Sequence, residues 1–278
     1  MYRYVRKYTG TLKACILDWS GTTADKYVLA PAVVFQDVFH KYGVPITMAE
    51  ARLPMGLRKD LHIAEILEMP RVAKRWALKH GAAPNEKDVE RIFADFLPLE
   101  LACLPVYSKL IPGTTKAVHE LRHKHKLKIG MTTGFTRDMV DVLLHETRLQ
   151  GYSPDCVVAG DEVIHGSRPS PFMLYKNLDI LGICPIQSVV KVDDTTGGIG
   201  EGLSAGCWTI GLSRFSNYMD IDSLEHERRL SIEELEERNI KSREILQNAG
   251  AHFVVDSIAE VPAVVEHINK QLRLGIMP

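Results

Sequence analysis

The sequence predicts an α/β protein in which a parallel β-sheet, covered by helices, is interrupted by an all-helical insert. Three observations lead to this fold class. Short apolar runs of strand length recur along the chain, helical patterns separate them, and one long region contains helical patterns alone. A chain of 278 residues is long enough for such a core and a second unit.

The predicted strands are nearly continuous apolar runs, which is typical of strands that are buried on both faces. In chain order they cover Ala14–Leu17, Leu127–Met131, Cys156–Ala159, Ser188–Val192, Cys207–Gly211 and His252–Val255. The helical patterns that alternate with them include Lys116–His123, Arg137–Thr147, Pro171–Leu181 and Ile258–Leu272. This alternation predicts a Rossmann-like core with a parallel sheet. The charged stretch 223–246 is interpreted as a solvated amphipathic helical excursion.

The insert follows the first strand, and proline or glycine marks most boundaries between its helical patterns. These patterns cover Pro31–Tyr42, Met48–Leu53, Leu57–Leu67, Pro70–His80 and Lys87–Leu101. We therefore predict two domains. Residues 1–27 and 106–278 form the α/β core, and residues 28–105 form a helical domain that we call the cap.

Composition and charge exclude several classes of partner. The 34 basic and 35 acidic residues give a net charge of -1, which offers no electrostatic argument for binding nucleic acid or a membrane surface. No apolar run approaches the ~18 residues that a membrane span needs. The five cysteines are scattered and include no CxxC pair, so neither a disulfide framework nor a zinc site is expected. We predict a reduced, cytoplasmic protein.

Acidic, hydroxyl and basic side chains follow four of the predicted strands. Asp18 ends the first strand, Thr133 and Gly134 end the second, Arg168 follows the third, and Asp194 ends the fourth. Each residue alone is more often a helix cap or a turn former. Ligands of parallel sheets bind at the carboxyl ends of the strands, so we expect all of them at one edge.

This series of strand ends resembles the four motifs of the haloacid dehalogenase superfamily. The resemblance implies that Asp18 is a nucleophile, Thr133 binds phosphate, Arg168 is the basic residue of the third motif, and Asp194 binds Mg²⁺. It also implies a metal ligand in the backbone carbonyl of Ser20, and a cap placed after the first motif. Magnesium prefers carboxylate and phosphate oxygens, and it would neutralise the charge that repels a carboxylate from a phosphoryl group.

Ser20 departs from the pattern of most phosphatases in this superfamily, which carry a second aspartate two residues after the nucleophile. That aspartate protonates a departing alcohol oxygen, and serine cannot do this near neutral pH. Either the chain is not catalytic, or its leaving group needs no acid at this place. A carbon leaving group that departs as an enamine would be such a case, and it requires an amine that forms an imine with the substrate.

Lys59 in the cap is the candidate amine, and His62 lies three residues later, on the same face of a predicted helix. Taken alone, the sequence "RKD" is more typical of a solvated charge cluster. A free lysine has a pKa of about 10.4, and a Schiff-base lysine requires a value nearer ~7–8. We expect closure of the cap to desolvate Lys59 and to lower its pKa.

Five segments together resemble the phosphonoacetaldehyde hydrolase family: "DWSGTTAD", "PMGLRKDLH", "MTTGFTRDM", "SRPSPFMLYKN" and "KVDDTTGGIGEGLSAGCWTIGL". The resemblance implies that Lys59 forms a Schiff base, aided by His62, while Asp18 takes the phosphoryl group. The residues that it implies for substrate binding are Met55, Gly56, Thr133, Gly134 and Arg168. It further implies a small-molecule phosphonate substrate and a homodimer formed through the caps.

Three positions depart from these patterns. Phe135 stands where the family often has tyrosine, and Ser20 stands where it commonly has alanine. Gly198 replaces a second acid of the fourth motif, so Asp193 or water would have to complete the magnesium shell. The stretch "GGIGEG" (197–202) lacks the third glycine of a dinucleotide fingerprint and is interpreted as a tight loop that opens a helix.

Three functions remain open at this point. The first is hydrolysis of the C–P bond of phosphonoacetaldehyde to acetaldehyde and phosphate. The second is a phosphomonoesterase or phosphomutase on the same fold, which Ser20 and Lys59 argue against. The third is a catalytically silent binding protein, although a silent protein has no need for the complete set of candidate catalytic residues.

Overall fold

The computed structural model describes residues 7–278 and contains one six-stranded sheet in the order β3-β2-β1-β4-β5-β6. The strands are β1 (Ala14–Leu17), β2 (Lys128–Thr132), β3 (Cys156–Val158), β4 (Val189–Asp193), β5 (Trp208–Leu212) and β6 (Phe253–Val255). All neighbouring strands pair in parallel. The predicted α/β fold class is therefore confirmed. At most of the strand ends, the observed bound differs from the predicted bound by a single residue.

The chain order of the strands reverses beside β1, which pairs with β2 on one side and β4 on the other. Leu17 lies opposite Met131 of β2 and Val192 of β4, so the three strands end at the same level. Every residue of β1 and β4 is buried, as expected for strands covered on both faces. A crevice at this edge of a parallel sheet is the usual ligand site.

Seven helices belong to the part of the chain after the insert. They are α6 (Thr114–His123), α7 (Arg137–Leu149), α8 (Phe172–Leu181), α9 (Thr196–Ala205), α10 (Leu224–Arg229), α11 (Ile232–Asn248) and α12 (Val261–Arg273). Helices α6 and α8 pack against β2, and α9 and α11 pack against β5. The interpretation of 223–246 as an amphipathic helical stretch is confirmed, but α11 is not an excursion from the core, because it packs on β5 and buries Asn239, Ser242 and Leu246.

The insert consists of α1 (Leu29–Lys41), α2 (Met48–Arg52), α3 (Lys59–Glu68), α4 (Pro70–His80) and α5 (Glu86–Tyr107). Between β1 and β2 the structure, which covers 7–278, has helices and no strand. Capping boxes at Thr47 and Asn85 begin α2 and α5. Phe35 of α1 stacks on Phe96 of α5 at 4.5 Å and joins the first and last helices of the insert. The domain boundaries at 28 and 105 stay a prediction.

The linker from β1 into α1 has an unusual backbone. Asp25, Tyr27 and Val28 have φ values of 50°, 65° and 56°, in the left-handed region. Left-handed geometry costs a residue other than glycine about 1–2 kcal/mol, so surrounding contacts must hold the linker. The Asp25 carboxylate accepts bonds from the N–H groups of Leu29 and Ala30 at 3.1 and 3.2 Å, which satisfies the beginning of α1.

The prediction of a tight loop at 197–202 is wrong, because these residues form the first turns of α9. At Gly198, Gly200 and Gly202, neighbours lie too close for a side chain. A Cβ atom on Gly198 would lie 1.9 Å from Cγ of Asp193, and one on Gly202 would lie 2.5 Å from Cγ2 of Thr209. Among residues 7–278, no helix combines the length and apolar character needed to cross a bilayer.

Candidate active site

Asp18 lies at the carboxyl end of β1 and is 5% exposed. Its N–H donates to the carbonyl of Val192 at 3.0 Å, which extends the sheet by one residue and fixes its backbone. Arg168 donates from Nη2 to Oδ1 of Asp18 at 2.6 Å and to the carbonyl of Thr132 at 2.7 Å. Burial raises the pKa of Asp18 to about 6, although the charge of Arg168 opposes the rise.

Three buried carboxylates, those of Asp18, Asp193 and Asp194, have oxygen atoms within 4.8 Å of one another. Burial, together with the charges of Asp193 and Asp18, raises the pKa of Asp194 well above its usual value. Buried like charges at this distance require a cation or a proton, and oxygen donors of this kind suit a hard divalent metal. The residues therefore fit the metal that the sequence predicts.

Asp193 is already engaged within the protein. Its Oδ2 atom lies 3.1 Å from Nη2 of Arg168 and 3.0 Å from Nζ of Lys191, and Oδ1 accepts from the hydroxyl of Thr195 at 2.8 Å. Burial acts to raise the pKa of Asp193, but these two cations lower it overall. Asp18 and Asp194 are therefore the carboxylates with more capacity left for a metal.

Asp194 is held from two sides. Oδ2 accepts from the N–H of Asn217 at 3.0 Å, and the hydroxyl of Thr22 lies 3.4 Å from Oδ1. The hydroxyl of Ser216 donates to its backbone carbonyl at 2.9 Å. Gly21 leaves room for the carboxylate, since a Cβ there would lie 2.3 Å from Oδ2.

A buried network beneath the site escaped the sequence analysis. Lys191 donates to the hydroxyl of Thr132 at 2.7 Å and lies 3.3 Å from Oε2 of Glu201. The same Glu201 oxygen lies 3.1 Å from Nε of Arg168 and accepts from Thr132 at 2.8 Å. The network fixes the guanidinium that contacts Asp18. The signal in the sequence was a lysine inside the apolar strand "VVKVD".

Lys59 is the first residue of α3 and is 3% exposed. Its Nζ atom lies 4.6 Å from the centre of the Phe135 ring and 5.8 Å from that of Phe35. Burial lowers its pKa to about 8 from the ordinary 10.5, while the charges of Glu100 and Asp18 act in the opposite direction. Phe135, a departure from the family pattern, therefore packs its ring against the candidate amine.

His62 is fully buried on α3, and its ring stacks 4.0 Å from that of Phe35. Its Nε2 atom lies 2.8 Å from the carbonyl of Ala51, so Nε2 carries the proton and Nδ1 is an acceptor. In the part of the chain that the structure describes, Nδ1 has no hydrogen-bond partner. Burial and the charge of Lys59 lower the pKa of His62 well below its usual value, so the ring is neutral.

Glu100 of α5 is a second buried group that the sequence analysis missed. It is 0% exposed, and within residues 7–278 neither carboxylate oxygen has a hydrogen-bond partner. Burial raises its pKa to about 8, against the opposing charge of Lys59. A lone glutamate in an otherwise ordinary helix sequence carries no signal that it faces a lysine on another helix.

The candidate residues surround one narrow cleft between the sheet edge and the insert. Residues of the core and residues of the insert both line this cleft. They are Asp18, Ser20, Val28, Pro31, Met55, Gly56, Lys59, Thr133, Gly134, Phe135, Arg168 and Thr195. Asp194 adjoins this cleft through the carboxylate cluster, and His62 is not among the residues that line it. The structure thus brings together the predicted residues except His62.

Glycines allow the insert to approach the sheet edge closely. A Cβ on Gly134 would lie 2.4 Å from the carbonyl oxygen of Leu57, and one on Gly56 would lie 2.7 Å from Oγ1 of Thr195. Gly56 also has a φ of 98°, which other residues rarely adopt. The turn before α3 is therefore seated directly on the core, and this contact buries Lys59.

Comparison with known proteins first identifies the class of protein to which this chain belongs. A family model described as "Hydrolase: haloacid dehalogenase-like hydrolase" matches residues 12–206, which include every site residue that the sequence predicted. The fold, the four polar strand ends and this match agree. The chain belongs to the haloacid dehalogenase-like hydrolases.

Individual relatives identify the family of this chain within the hydrolase class. The chain is 41% identical over 260 residues to phosphonoacetaldehyde hydrolase of Bacillus cereus, covering 94% of this chain and 97% of the relative. It is 39% identical over 277 residues to the enzyme of that name from Hahella chejuensis, covering 100% and 93%. Within the hydrolase class, the chain therefore falls into the phosphonoacetaldehyde hydrolase family, as the sequence motifs indicated.

Solved structures agree with this placement. A phosphonoacetaldehyde hydrolase-like protein from Oleispira antarctica superimposes with a TM-score of 0.95 at 37% identity, with 100% of both chains covered. A β-phosphoglucomutase from Clostridium difficile gives 0.67 at 17% identity, covering 95% of this chain and 100% of that one. The second likeness shows a shared fold alone.

Proposed function

We propose that this protein hydrolyses the C–P bond of phosphonoacetaldehyde to acetaldehyde and phosphate. The observation that carries the proposal is the position of Lys59. A buried amine with a lowered pKa lines the same cleft as Asp18 and Arg168. An ordinary phosphate ester has no need for such an amine, whereas cleavage of a bond to carbon needs an electron sink.

The amine chemistry belongs to the insert. The free amine of Lys59 attacks the aldehyde carbon, and a proton passes from its nitrogen to the former aldehyde oxygen. A second proton, taken from solvent, lets that oxygen leave as water and gives a protonated imine. His62, neutral and with an Nδ1 atom that has no hydrogen-bond partner within residues 7–278, would relay the first of these protons. The imine draws electrons from the adjacent carbon, so that carbon can leave phosphorus as an enamine. Met55 and Gly56 border the amine in the cleft.

The phosphoryl chemistry belongs to the sheet edge. A carboxylate oxygen of Asp18 attacks phosphorus, the C–P bond breaks, and an aspartyl phosphate remains. Arg168, Thr133 and the backbone of Gly134 hold the phosphonate oxygens. Water then hydrolyses the aspartyl phosphate, while protonation and hydrolysis of the enamine release acetaldehyde and restore Lys59. Ser20 needs no proton to give, because no alkoxide departs.

A divalent metal completes the site in this proposal. Asp18, Asp194 and the backbone carbonyl of Ser20 would hold Mg²⁺, which neutralises charge between the nucleophile and the phosphonate when bound.

We also propose a cytoplasmic homodimer. Five free cysteines support the compartment. Exposed apolar side chains on the insert, such as Leu53 and Leu78 at 76% and 78%, support pairing through the caps.

The test is acetaldehyde release from phosphonoacetaldehyde with Mg²⁺ present. Lys59→Arg keeps the charge but cannot form an imine, so we expect loss of at least about a thousandfold in turnover. Lys74 is an exposed lysine of α4, and Lys74→Arg is the control, which should behave as the wild type does. Borohydride added with substrate should attach label at Lys59 alone.

Other outcomes would point elsewhere. Turnover by Lys59→Arg, or labelling at another lysine, would contradict the Schiff-base assignment. Hydrolysis of an alkyl phosphate with no action on phosphonoacetaldehyde would identify a phosphomonoesterase. Magnesium-dependent binding of the phosphonate without turnover by the wild type would identify a silent binding protein.

A further inference from the structure

Arg52, the last residue of α2, is a buried cation in the insert whose hydrogen bonds go to the core. It is 4% exposed. Nη1 donates to the carbonyl of Tyr27 at 2.7 Å, and Nη2 donates to that of Ile221 at 2.6 Å. Its nearest acid, Asp222, is 3.9 Å away. A guanidinium so placed loses its partners if the insert moves away from the core, which would be costly.

Asn217 binds the same arginine in both directions. Its carbonyl and its Oδ1 atom accept from Nη1 of Arg52 at 3.2 and 3.3 Å, and its Nδ2 atom donates to the backbone carbonyl of Arg52 at 3.1 Å. Asn217 is itself 4% exposed. We call this pair of side chains the Arg52–Asn217 bridge.

The bridge reaches the carboxylate cluster and the linker. The N–H of Asn217 donates to Oδ2 of Asp194, and the neighbouring Ser216 hydroxyl donates to the Asp194 carbonyl. The carbonyl of Tyr27 accepts from Arg52, and the N–H of Tyr27 donates to the carbonyl of Phe215 at 2.8 Å. One short loop after β5 therefore contacts the insert, the left-handed linker and the candidate metal ligand.

We propose that the Arg52–Asn217 bridge couples the seating of the insert to the orientation of Asp194, with Arg52 as a positioning residue. When the insert is seated, the bridge fixes the Asn217 N–H on one carboxylate oxygen and leaves the other for the metal. When the insert moves away from the core, the loop after β5 loses its contacts with Arg52, and Asp194 is held less firmly for metal binding. By linkage, metal binding must favour the seated insert to the same degree. The inference rests on the proposed metal site.

The experiment measures Mg²⁺ affinity of the full chain by calorimetry, without substrate. Arg52→Met removes the donors, and Asn217→Ala removes the side chain but keeps the N–H that binds Asp194. We expect each to weaken Mg²⁺ binding about tenfold, in the range for groups that support metal ligands. Because both act through one bridge, the double variant should lose no more than either single variant.

The matched control is Arg75→Met, which removes an arginine of the insert whose guanidinium pairs with Glu50, also of the insert, at 2.7 Å. It should bind Mg²⁺ as the wild type does. Hydrogen exchange adds a second readout: amides 217–221 should exchange faster in Arg52→Met, and Mg²⁺ should slow them in the wild type. Arg52→Lys, which keeps the charge without the fork, should recover only part of the affinity.

Several results would overturn the proposal. Unchanged Mg²⁺ affinity in both variants, additive losses in the double variant, or an equal loss in Arg75→Met would each do so. If Arg52→Met fails to fold, Asn217→Ala and Arg52→Lys decide the question by the same titration. Absence of Mg²⁺ binding by the wild type would remove the metal site itself and the bridge with it.

Discussion

At the scale of single residues, the chemistry of Lys59 depends on its burial. At pH 7.4 an ordinary lysine is only about a thousandth free amine, whereas a pKa of about 8 leaves roughly a fifth of the molecules with a nucleophilic amine. The aromatic rings of Phe35 and Phe135 exclude water from Nζ without adding a negative charge. Glu100 limits the shift, because its charge favours the ammonium form.

This balance predicts the pH dependence of imine formation. A lysine whose folded pKa is lowered gains free amine as pH rises through about 8, so borohydride trapping should rise with a midpoint there. Glu100→Gln removes a carboxyl group whose ionised form raises the Lys59 pKa, so the midpoint should move to lower pH. The pH profile of Lys59 labelling, read by mass spectrometry, measures the shift.

Glu65→Gln serves as the control for that measurement, since Glu65 is exposed on the same helix as Lys59. Its profile should match that of the wild type. A midpoint that stays in place in Glu100→Gln would show that Glu100 and Lys59 do not interact.

At the scale of elements, α9 shows how packing changes the meaning of a sequence. Glycine disfavours a helix by about 1 kcal/mol, so "TGGIGEG" reads locally as a loop. In the structure the absent side chains make room for Asp193, Pro169 and Lys191. Gly198 is therefore not a lost metal ligand, since the carboxylate of Asp193 occupies the space that a side chain there would need.

Gly198→Ala should damage the carboxylate cluster. The new Cβ would lie 1.9 Å from Cγ of Asp193, which must then leave its contacts with Arg168 and Lys191. We expect Mg²⁺ binding to weaken by at least about tenfold, measured by calorimetry.

Gly197→Ala is the matched variant one residue earlier. Its nearest neighbour would be 3.8 Å away, which is ordinary contact. It should keep Mg²⁺ binding and raise the free energy of unfolding by up to about 1 kcal/mol, because alanine favours a helix. Equal damage from both substitutions would mean that the Asp193 contact does not explain the loss.

At the scale of the whole molecule, the candidate active site is complete only where the insert meets the core. Lys59 comes from one part and Asp18, Arg168 and Asp194 from the other. The turn before α3 sits on Gly134 and beside Thr195, and this contact keeps water from the amine. The left-handed linker at Asp25, Tyr27 and Val28 sets the direction in which the insert leaves the core.

Gly134→Ala should keep the insert from seating. The Cβ would lie 2.4 Å from the Leu57 carbonyl, and backbone cannot yield as a flexible side chain can. Lys59 would then be hydrated, and its pKa should rise from about 8 toward the ordinary value. The labelling midpoint should therefore move to higher pH, opposite to Glu100→Gln. An unchanged midpoint would show that this contact does not bury Lys59, and Gly197→Ala again provides the control.

The sequence alone determined the sheet and the polar edge of its strands. The runs at 14–17 and 188–192, for example, are largely apolar segments that aspartate follows directly, and such patterns are local. Once the strands are parallel, geometry brings Asp18, Thr133 and Asp194 to one edge, so these residues could be inferred without coordinates. Lys59 needed the family motifs as well, because a lysine beside charged neighbours is usually solvated.

Only the tertiary structure revealed what those residues contact. Glu100 lies in another helix from Lys59, Lys191 and Glu201 join around Arg168, and Asn217 links Arg52 to Asp194. These pairs are far apart in the chain, and no local pattern records which buried polar groups will share a space. Local preference and periodicity determined the elements, whereas the need to pair buried charges determined the site, and that need arises only when the chain is packed.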